Sequence, residues 1–251
     1  MGTPTKYVFV DLENTGGSAQ HDRITEIAII RVDGEHVTRY QSLLNQQQHI
    51  SLFIESITGI SNAMVADAPE FADVADEVWA WLQDCVFVAH NVRFDYGFLK
   101  QAFERVGKDF QPEQLCTVKL SRRLYPEHKH HGLDQLIQRH GLRMSQRHRA
   151  MADADAIYQF WQIVHQEFAA DVLQAACLKV MNKPSLPVYL NPLSIDTLYN
   201  GYGVYLIYGD NDLPLYIGKS KTVKTRLLAH FRSDVVSGKE MVLAQQARRL
   251  E

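Results

Sequence analysis

Three short stretches of this chain combine carboxylates, amides and a histidine at spacings suited to divalent-cation chemistry on a phosphodiester. The first is Val10-Asp11-Leu12-Glu13-Asn14-Thr15-Gly16, at the end of an apolar run. Side chains two apart on a strand share a face, so Asp11 and Glu13 project together where a cation can bridge them. Thr15 and the glycines at 16 and 17 then open the backbone to a closely approaching substrate. The second is Ala89-His90-Asn91-Val92-Arg93-Phe94-Asp95, which puts Asp95 in the first turn of a helix. The third is His148-Arg149-Ala150-Met151-Ala152-Asp153. It puts Asp153 in the first turns of a long helix and His148 on the loop before it, where a group titrating near neutrality suits a general base. Asp155 points elsewhere on that helix.

Read singly, each stretch has a plainer explanation: an acidic turn after a strand, a carboxylate favoured by a helix dipole, a loop histidine. Together they supply four carboxylates and one histidine from the edges of three separate core elements. That inventory matches hydrolysis assisted by two divalent cations, Mg²⁺ or Mn²⁺, one activating a water and the other steadying the leaving 3′ oxygen. Magnesium keeps several waters and takes only a few carboxylates, as this set allows.

The elements that must position these residues are visible as periodicity. Residues 6–11 and 85–89 read as buried strands, and 24–32 as a strand joined through Asp33-Gly34 to another at 36–44. Helical spacing is clear at 69–84, 94–106, 133–140 and from about 150, where Ile157, Phe160, Trp161, Val164 and Phe168 are in phase. An antiparallel start followed by strand–helix alternation predicts an α/β fold, a mixed sheet with helices on its faces. Trp79, Trp81 and Trp161 fall in helical apolar patterns and read as core.

The chain has 251 residues, 46% hydrophobic and 22% charged, which excludes a disordered or fibrous chain and leaves room for two domains. With no 18-residue apolar run and no signal-like start, neither a membrane span nor a secretory leader is expected. Three scattered cysteines, Cys85, Cys116 and Cys177, suit a reducing cytoplasm. The net charge of −3 hides an asymmetry: residues 1–116 carry 8 Lys+Arg against 17 Asp+Glu, and residues 117–149 carry 8 against 2 with five histidines. An acidic body beside a basic segment suits a nuclease, with carboxylates for cations and Arg122, Arg123, Lys129, Arg139, Arg143, Arg147 and Arg149 for phosphates. The run Glu127-His128-Lys129-His130-His131 reads as a flexible basic loop over a nucleic-acid groove, since adjacent histidines do not readily converge on one ion.

The segments FVDLENTG, VAHNVRFDYGFL and HRAMADADA resemble the three motifs of the DEDD 3′-5′ exonucleases. The His148-to-Asp153 spacing resembles the histidine-bearing branch, which includes the proofreading epsilon subunit of bacterial DNA polymerase III. The resemblance covers about residues 5–170 and implies a ribonuclease H-like sheet. It also implies that Asp11, Glu13 and Asp153 hold the metals directly, that Asp95 helps through water, and that His148 is the base. Leu12, Thr15, Asn91 and Phe94 stand where the family handles the terminal nucleotide. Asn14 stands where Thr is common, and Thr58 where His is expected; both leave substrate preference open.

Residues 181–202 hold three prolines and no periodicity, and read as a linker between an exonuclease domain at 1–180 and a small domain at 203–251. Gly203-Val204-Tyr205 and Tyr216-Ile217-Gly218 lie on two predicted strands, followed by a basic helix near 222–231 and a second helix from about 238. An aromatic hairpin explains this much. The segment also resembles the start of a GIY-YIG endonuclease domain of the UvrC type, which implies Tyr205, Tyr216 and Arg226 as catalytic candidates, with Lys219 and His230 nearby. The family's metal-binding Glu lies well past the basic helix, whereas Glu240 and Glu251 come too early.

The expected activity is metal-dependent 3′-5′ hydrolysis of DNA, with DNA ends and a polymerase or repair complex as partners. The rivals are RNA trimming, because the same catalytic set cleaves either sugar type and the sequence does not show what would sense a 2′-hydroxyl, and a non-catalytic DNA-binding recruitment module. No independent endonuclease activity is expected from residues 203–251. Nicking of supercoiled plasmid that survives His148→Ala but not Arg226→Ala would overturn that expectation.

Overall fold

The apolar run after Lys6 forms β1 (Tyr7–Asn14), whose consecutive residues Val8, Phe9 and Val10 are all buried. A strand buried on both faces needs cover on both faces, which helices packed against the sheet provide. The computed structural model describes residues 6–181, 187, 190, 197–231, 243–244 and 246–251. Its contacts divide the chain into two units, Met1–Gly17 with Asp22–Asn182, and Ser18–His21 with Lys183–Glu251.

In the first unit β1 pairs antiparallel with β2 (Ile24–Asp33), which pairs antiparallel with β3 (His36–Leu43). Asp33 faces His36 across a tight turn in which Gly34 takes φ +60°, a conformation glycine adopts without a Cβ clash. β4 (Val86–Ala89) and β5 (Gln114–Cys116) extend the other edge in parallel, giving the order β3-β2-β1-β4-β5. Helices α1 (Leu52–Thr58), α2 (Asn62–Val65) and α3 (Phe71–Leu82) fill the crossover from β3 to β4, and α4 (Arg93–Arg105) the crossover from β4 to β5. Then follow α5 (Thr117–Leu124), α6 (Leu133–His140), α7 (Ala150–Glu167) and α8 (Ala170–Met181). α7 packs on β1 and β2, burying Ile157, Phe160, Trp161 and Val164; Phe168 falls just beyond its end. This is the mixed α/β sheet with flanking helices that the alternation of elements implies.

Four elements fall outside the sequence expectations. α1 and α2 are short and mostly exposed, and are specified instead by Ser51 and Ser61, whose hydroxyls accept the N–H groups of Ile54 and Met64. β5 has three residues, too few for an alternation, and α5 is amphipathic but only eight residues long, burying Val118 and Leu120 together with Thr117 and Ser121.

The second unit contains β6 (Gly203–Tyr208), a 3-10 turn at Asp210–Asp212, β7 (Pro214–Ser220), α9 (Val223–Ala229) and β8 (Arg249–Leu250), with sheet order β7-β6-β8. The helix expected from about 238 to the chain end does not reach it. Residues 243, 244 and 246 are helical, but Arg249 and Leu250 pair with Tyr208 and Ile207 of β6, and residues 232–242 lie outside the described set. Most of the expected linker also lies outside the described residues. No helix among those described is long and apolar enough to cross a membrane.

α4 is fixed by Phe103, whose ring lies 5.2 Å from Phe71, 5.1 Å from Trp79 and 5.0 Å from Phe110. Phe103→Ala is expected to lower unfolding free energy by about 3–5 kcal/mol in a denaturant titration. A loss under about 1 kcal/mol would show that this aromatic cluster does not anchor α4.

Candidate active site

Asp11 and Glu13 lie in the last half of β1, and the ladder slips directly after Glu13, which faces Glu26, so that Asn14 faces Ile24. The extra residue at this bulge is Thr25 on β2, so it is β2 that bends beside the site. Asp95, in the first turn of α4, is 3% exposed, and Asp153, in the first turn of α7, is 4% exposed. His148 is exposed and takes φ +57°. Asn91 takes φ +69°. Left-handed backbone at two non-glycine residues stores strain that the surroundings must hold, and such strain gathers at functional sites.

One ligand atom each from Glu13, His148 and Asp153 lies within 4.8 Å of the others. The charges couple strongly. Burial lifts Asp11 well above the usual carboxylate range, and Asp95, Asp153 and Glu13 lift it further. Burial, Asp153 and Glu26 push Glu13 up to about 8. Asp95 is raised by burial and by Glu13 and Asp153, against the backbone N–H groups of Asp95 and Leu12 that donate to it. Burial raises Asp153 as well, with Arg147 opposing. The site therefore gathers Asp11, Glu13, Asp95, His148 and Asp153 into one acidic cluster. Asp153 Oδ1 is buried without a hydrogen-bond partner, the state of an oxygen that a cation would satisfy. A set of carboxylates with one imidazole suits Mg²⁺ or Mn²⁺.

The profile of the exonuclease family RNase T matches residues 8–160. The chain belongs to the RNase T exonuclease family. It is 38% identical over 163 residues to a DNA polymerase III of the PolC type from Staphylococcus saprophyticus subsp. saprophyticus, and 38% identical over 165 residues to that of Staphylococcus aureus. Each match covers 64% of this chain but 11% of the polymerase, so the chain spans about a tenth of the length of these relatives. Among solved structures, exonuclease X in complex with 5′-overhanging duplex DNA matches with a TM-score of 0.52 at 25% identity, covering 68% of this chain and 99% of that one. Exonuclease I matches in fold with a TM-score of 0.63 at 18% identity, covering 81% of this chain and 48% of that one.

The residues that the sequence resemblance assigns to a terminal nucleotide, Leu12, Thr15, Asn91 and Phe94, lie at or beside the end of β1 and the start of α4. Leu12 is buried, and Phe94 is half-buried with its ring 4.9 Å from Phe98. Thr15 donates to Gln48 Oε1 at 3.0 Å and accepts the Arg23 N–H at 3.0 Å. Gly16 serves a different end than expected: a Cβ there would sit 2.5 Å from Asp22 Oδ2, so its lack of a side chain makes room for a carboxylate of the protein. Thr58 ends α1, donating to the Ile54 carbonyl and accepting the Ile60 N–H at 3.1 Å each.

Two arginines expected to meet phosphates are engaged internally. Arg147 pairs with Asp153 through Nη1 and with Asp134 at 2.5 Å through Nε. Arg149 is forked onto Glu26. His131 is buried, with its ring nitrogens 2.8 Å from Ser121 Oγ and 2.9 Å from the His128 carbonyl, so the histidine run is pinned at its end rather than free along its length. Sequence reasoning missed Glu26. Its signal was a lone carboxylate inside the apolar strand ITEIAIIRV, where a buried charge demands a partner.

In the second unit Tyr205 is 1% exposed, and its hydroxyl lies 2.7 Å from His230 Nε2. The Tyr216 ring lies 5.9 Å from that of Tyr205 and 4.6 Å from that of His230. Burial and Tyr216 raise the Tyr205 hydroxyl, and Arg226 opposes them through a hydrogen bond. Tyr205, Tyr216, Arg226 and His230 thus form one group. Glu251 is held by the Tyr208 hydroxyl at 2.9 Å and by Arg249 at 3.1 Å.

The acidic cluster makes metal-free stability depend on pH. The folded-state value of Glu13, about 8, lies above its ordinary 4.5, so its contribution is complete below pH 4.5 and is lost as pH rises towards 8. Asp11, Asp95 and Asp153 act with the same sign. In EDTA, Tm is expected to fall by roughly 5 °C or more between pH 5 and pH 8, and Mn²⁺ at pH 8 to restore it. A Tm that rises over this range would show that Arg147 already outweighs the repulsion.

Proposed function

We propose that this chain is a metal-dependent 3′-5′ exonuclease that hydrolyses DNA from its 3′ end and releases 5′-mononucleotides. The observation that carries this reading is the convergence of Glu13, His148 and Asp153 within 4.8 Å. Asp11 and Asp95 complete the cluster, and one buried Asp153 oxygen awaits a partner. Asp11, Glu13 and Asp153 would hold the divalent cations, and Asp95 would assist them. When bound, Mg²⁺ or Mn²⁺ supplies an activated water and charge stabilisation at the leaving oxygen.

His148 takes the proton of the attacking water on its imidazole, and its exposed loop position leaves it room to meet that water. Half-buried Phe94 offers apolar surface to the terminal nucleotide, Thr15 and Asn91 offer polar groups at its edge, and Leu12, buried at the strand end, backs the site from the core. DNA is favoured over RNA by the likeness to PolC-type DNA polymerases and to exonuclease X, the latter solved with duplex DNA. Proofreading or repair, beside a polymerase or repair complex in the cytoplasm, is the corresponding setting.

The test is a denaturing gel of 5′-labelled single-stranded DNA with Mg²⁺ or Mn²⁺, beside EDTA and Asp11→Asn controls. Shortening from the 3′ end is expected, with EDTA abolishing it and Asp11→Asn reducing it by at least about 10²-fold. An RNA strand shortened faster than DNA would make the enzyme an exoribonuclease. No product from folded protein that also takes up no Mn²⁺ would leave a non-catalytic binding module.

A further inference from the structure

The proposed base sits on strained backbone, yet no hydrogen bond of its own ring is among those described. What holds it lies next to it in sequence and far away in the chain. Glu26, on β2 directly across from Glu13, is 0% exposed. Its Oε2 accepts the Arg149 Nε–H at 3.0 Å and the Ala150 backbone N–H at 3.0 Å. Its Oε1 accepts from Arg149 Nη2 at 2.7 Å and from Gln41 Nε2 at 2.7 Å.

Arg149 and Ala150 are the two residues after His148. Ala150 is the first residue of α7, whose adjoining cap residue, Arg149, makes no capping bond with its own side chain. Glu26 thus caps this helix from 124 positions away along the chain. A buried carboxylate with four donors, two of them a rigid guanidinium fork, has one geometry. It fixes the backbone on the C-terminal side of His148 at the point where φ is +57°.

We infer that Glu26 is a positioning residue for the exonuclease reaction: through Arg149 and the Ala150 N–H it holds the strained turn that aims His148 at the attacking water. The inference rests on the function proposed above. Glu26 touches neither substrate nor cation in this role. It acts through another residue, so removing that residue removes its effect.

Glu26→Gln keeps the size of the side chain but brings an amide where the guanidinium fork needs a second anionic oxygen. In the wild-type background it is expected to lower kcat by about 10- to 100-fold with KM within about twofold, as a misaimed base does. In a His148→Ala background the same change is expected to cost less than about twofold, because the two residues act as a unit. A loss of equal size in both backgrounds would overturn the inference and show Glu26 to be structural only.

A second readout needs no turnover. The His148 imidazole resonances, assigned by their loss in His148→Ala, are expected to shift or split in Glu26→Gln. Unchanged resonances would overturn the inference whether or not the protein degrades DNA. A wild type that degrades no nucleic acid, with His148 resonances that do respond, would refute the proposed function alone. Should Glu26→Gln fail to fold, Arg149→Met removes the fork while leaving the carboxylate to Ala150 and Gln41, and the same two comparisons decide.

Discussion

Everything in the first unit answers to one electrostatic constraint: four carboxylates are held together where little water reaches them. Asp11, Glu13, Asp95 and Asp153 raise one another's proton affinity, and burial raises it further. No local segment would gather such a set unaided, because like charges in a poorly solvated volume repel strongly. The gathering is imposed by apolar packing. β1 is the middle strand of five, α4 is locked by Phe103 and its aromatic neighbours, and α7 lies across β1 and β2. Each carboxylate sits at the end of an element whose position the core has already decided.

The protein offsets part of the repulsion from within. Arg147 reaches Asp153 and Asp134, and the Leu12 N–H supports Asp95. Glu26, buried beside Glu13, still raises the proton affinity of Glu13, but its own charge is held by Arg149. The basic segment therefore does two jobs. Part of its positive charge faces inward to balance the acidic floor of the site, which reduces the number of arginines left to meet a phosphate backbone.

Much of this was legible in the residues. The strands at β1, β2 and β4 and the helices α3, α4, α6 and α7 announce themselves through period, because each buries a continuous face. α1, α2 and β5 do not, because they are set by serine caps or are too short, and the stripe of α5 spans only eight residues. The acidic cluster was readable as three motifs, and the structure brings Asp11, Glu13, Asp95, His148 and Asp153 into one cluster. What could not be read was the partner of each charge. Glu26 and Arg149 stand 123 residues apart, and nothing local in either neighbourhood names the other. Arg147 and Arg149 look alike in sequence to any arginine that would meet phosphate; only the fold shows them turned onto carboxylates.

That separation also sets a schedule. β1, β2 and β3 are neighbours in sequence and can pair as they form, whereas β4 must return to β1 in parallel and α7 must return to β2. Contacts between distant parts of a chain close late, after the loop entropy between them has been overcome. The Glu26–Arg149 fork and the Glu13–Asp153 approach are both of this kind. A chain that has emerged only through α4 therefore carries Asp11, Glu13 and Asp95 without His148 or Asp153. The cluster is complete only where α7 packs on β1 and β2, which brings Asp153 and the adjoining His148 to Glu13.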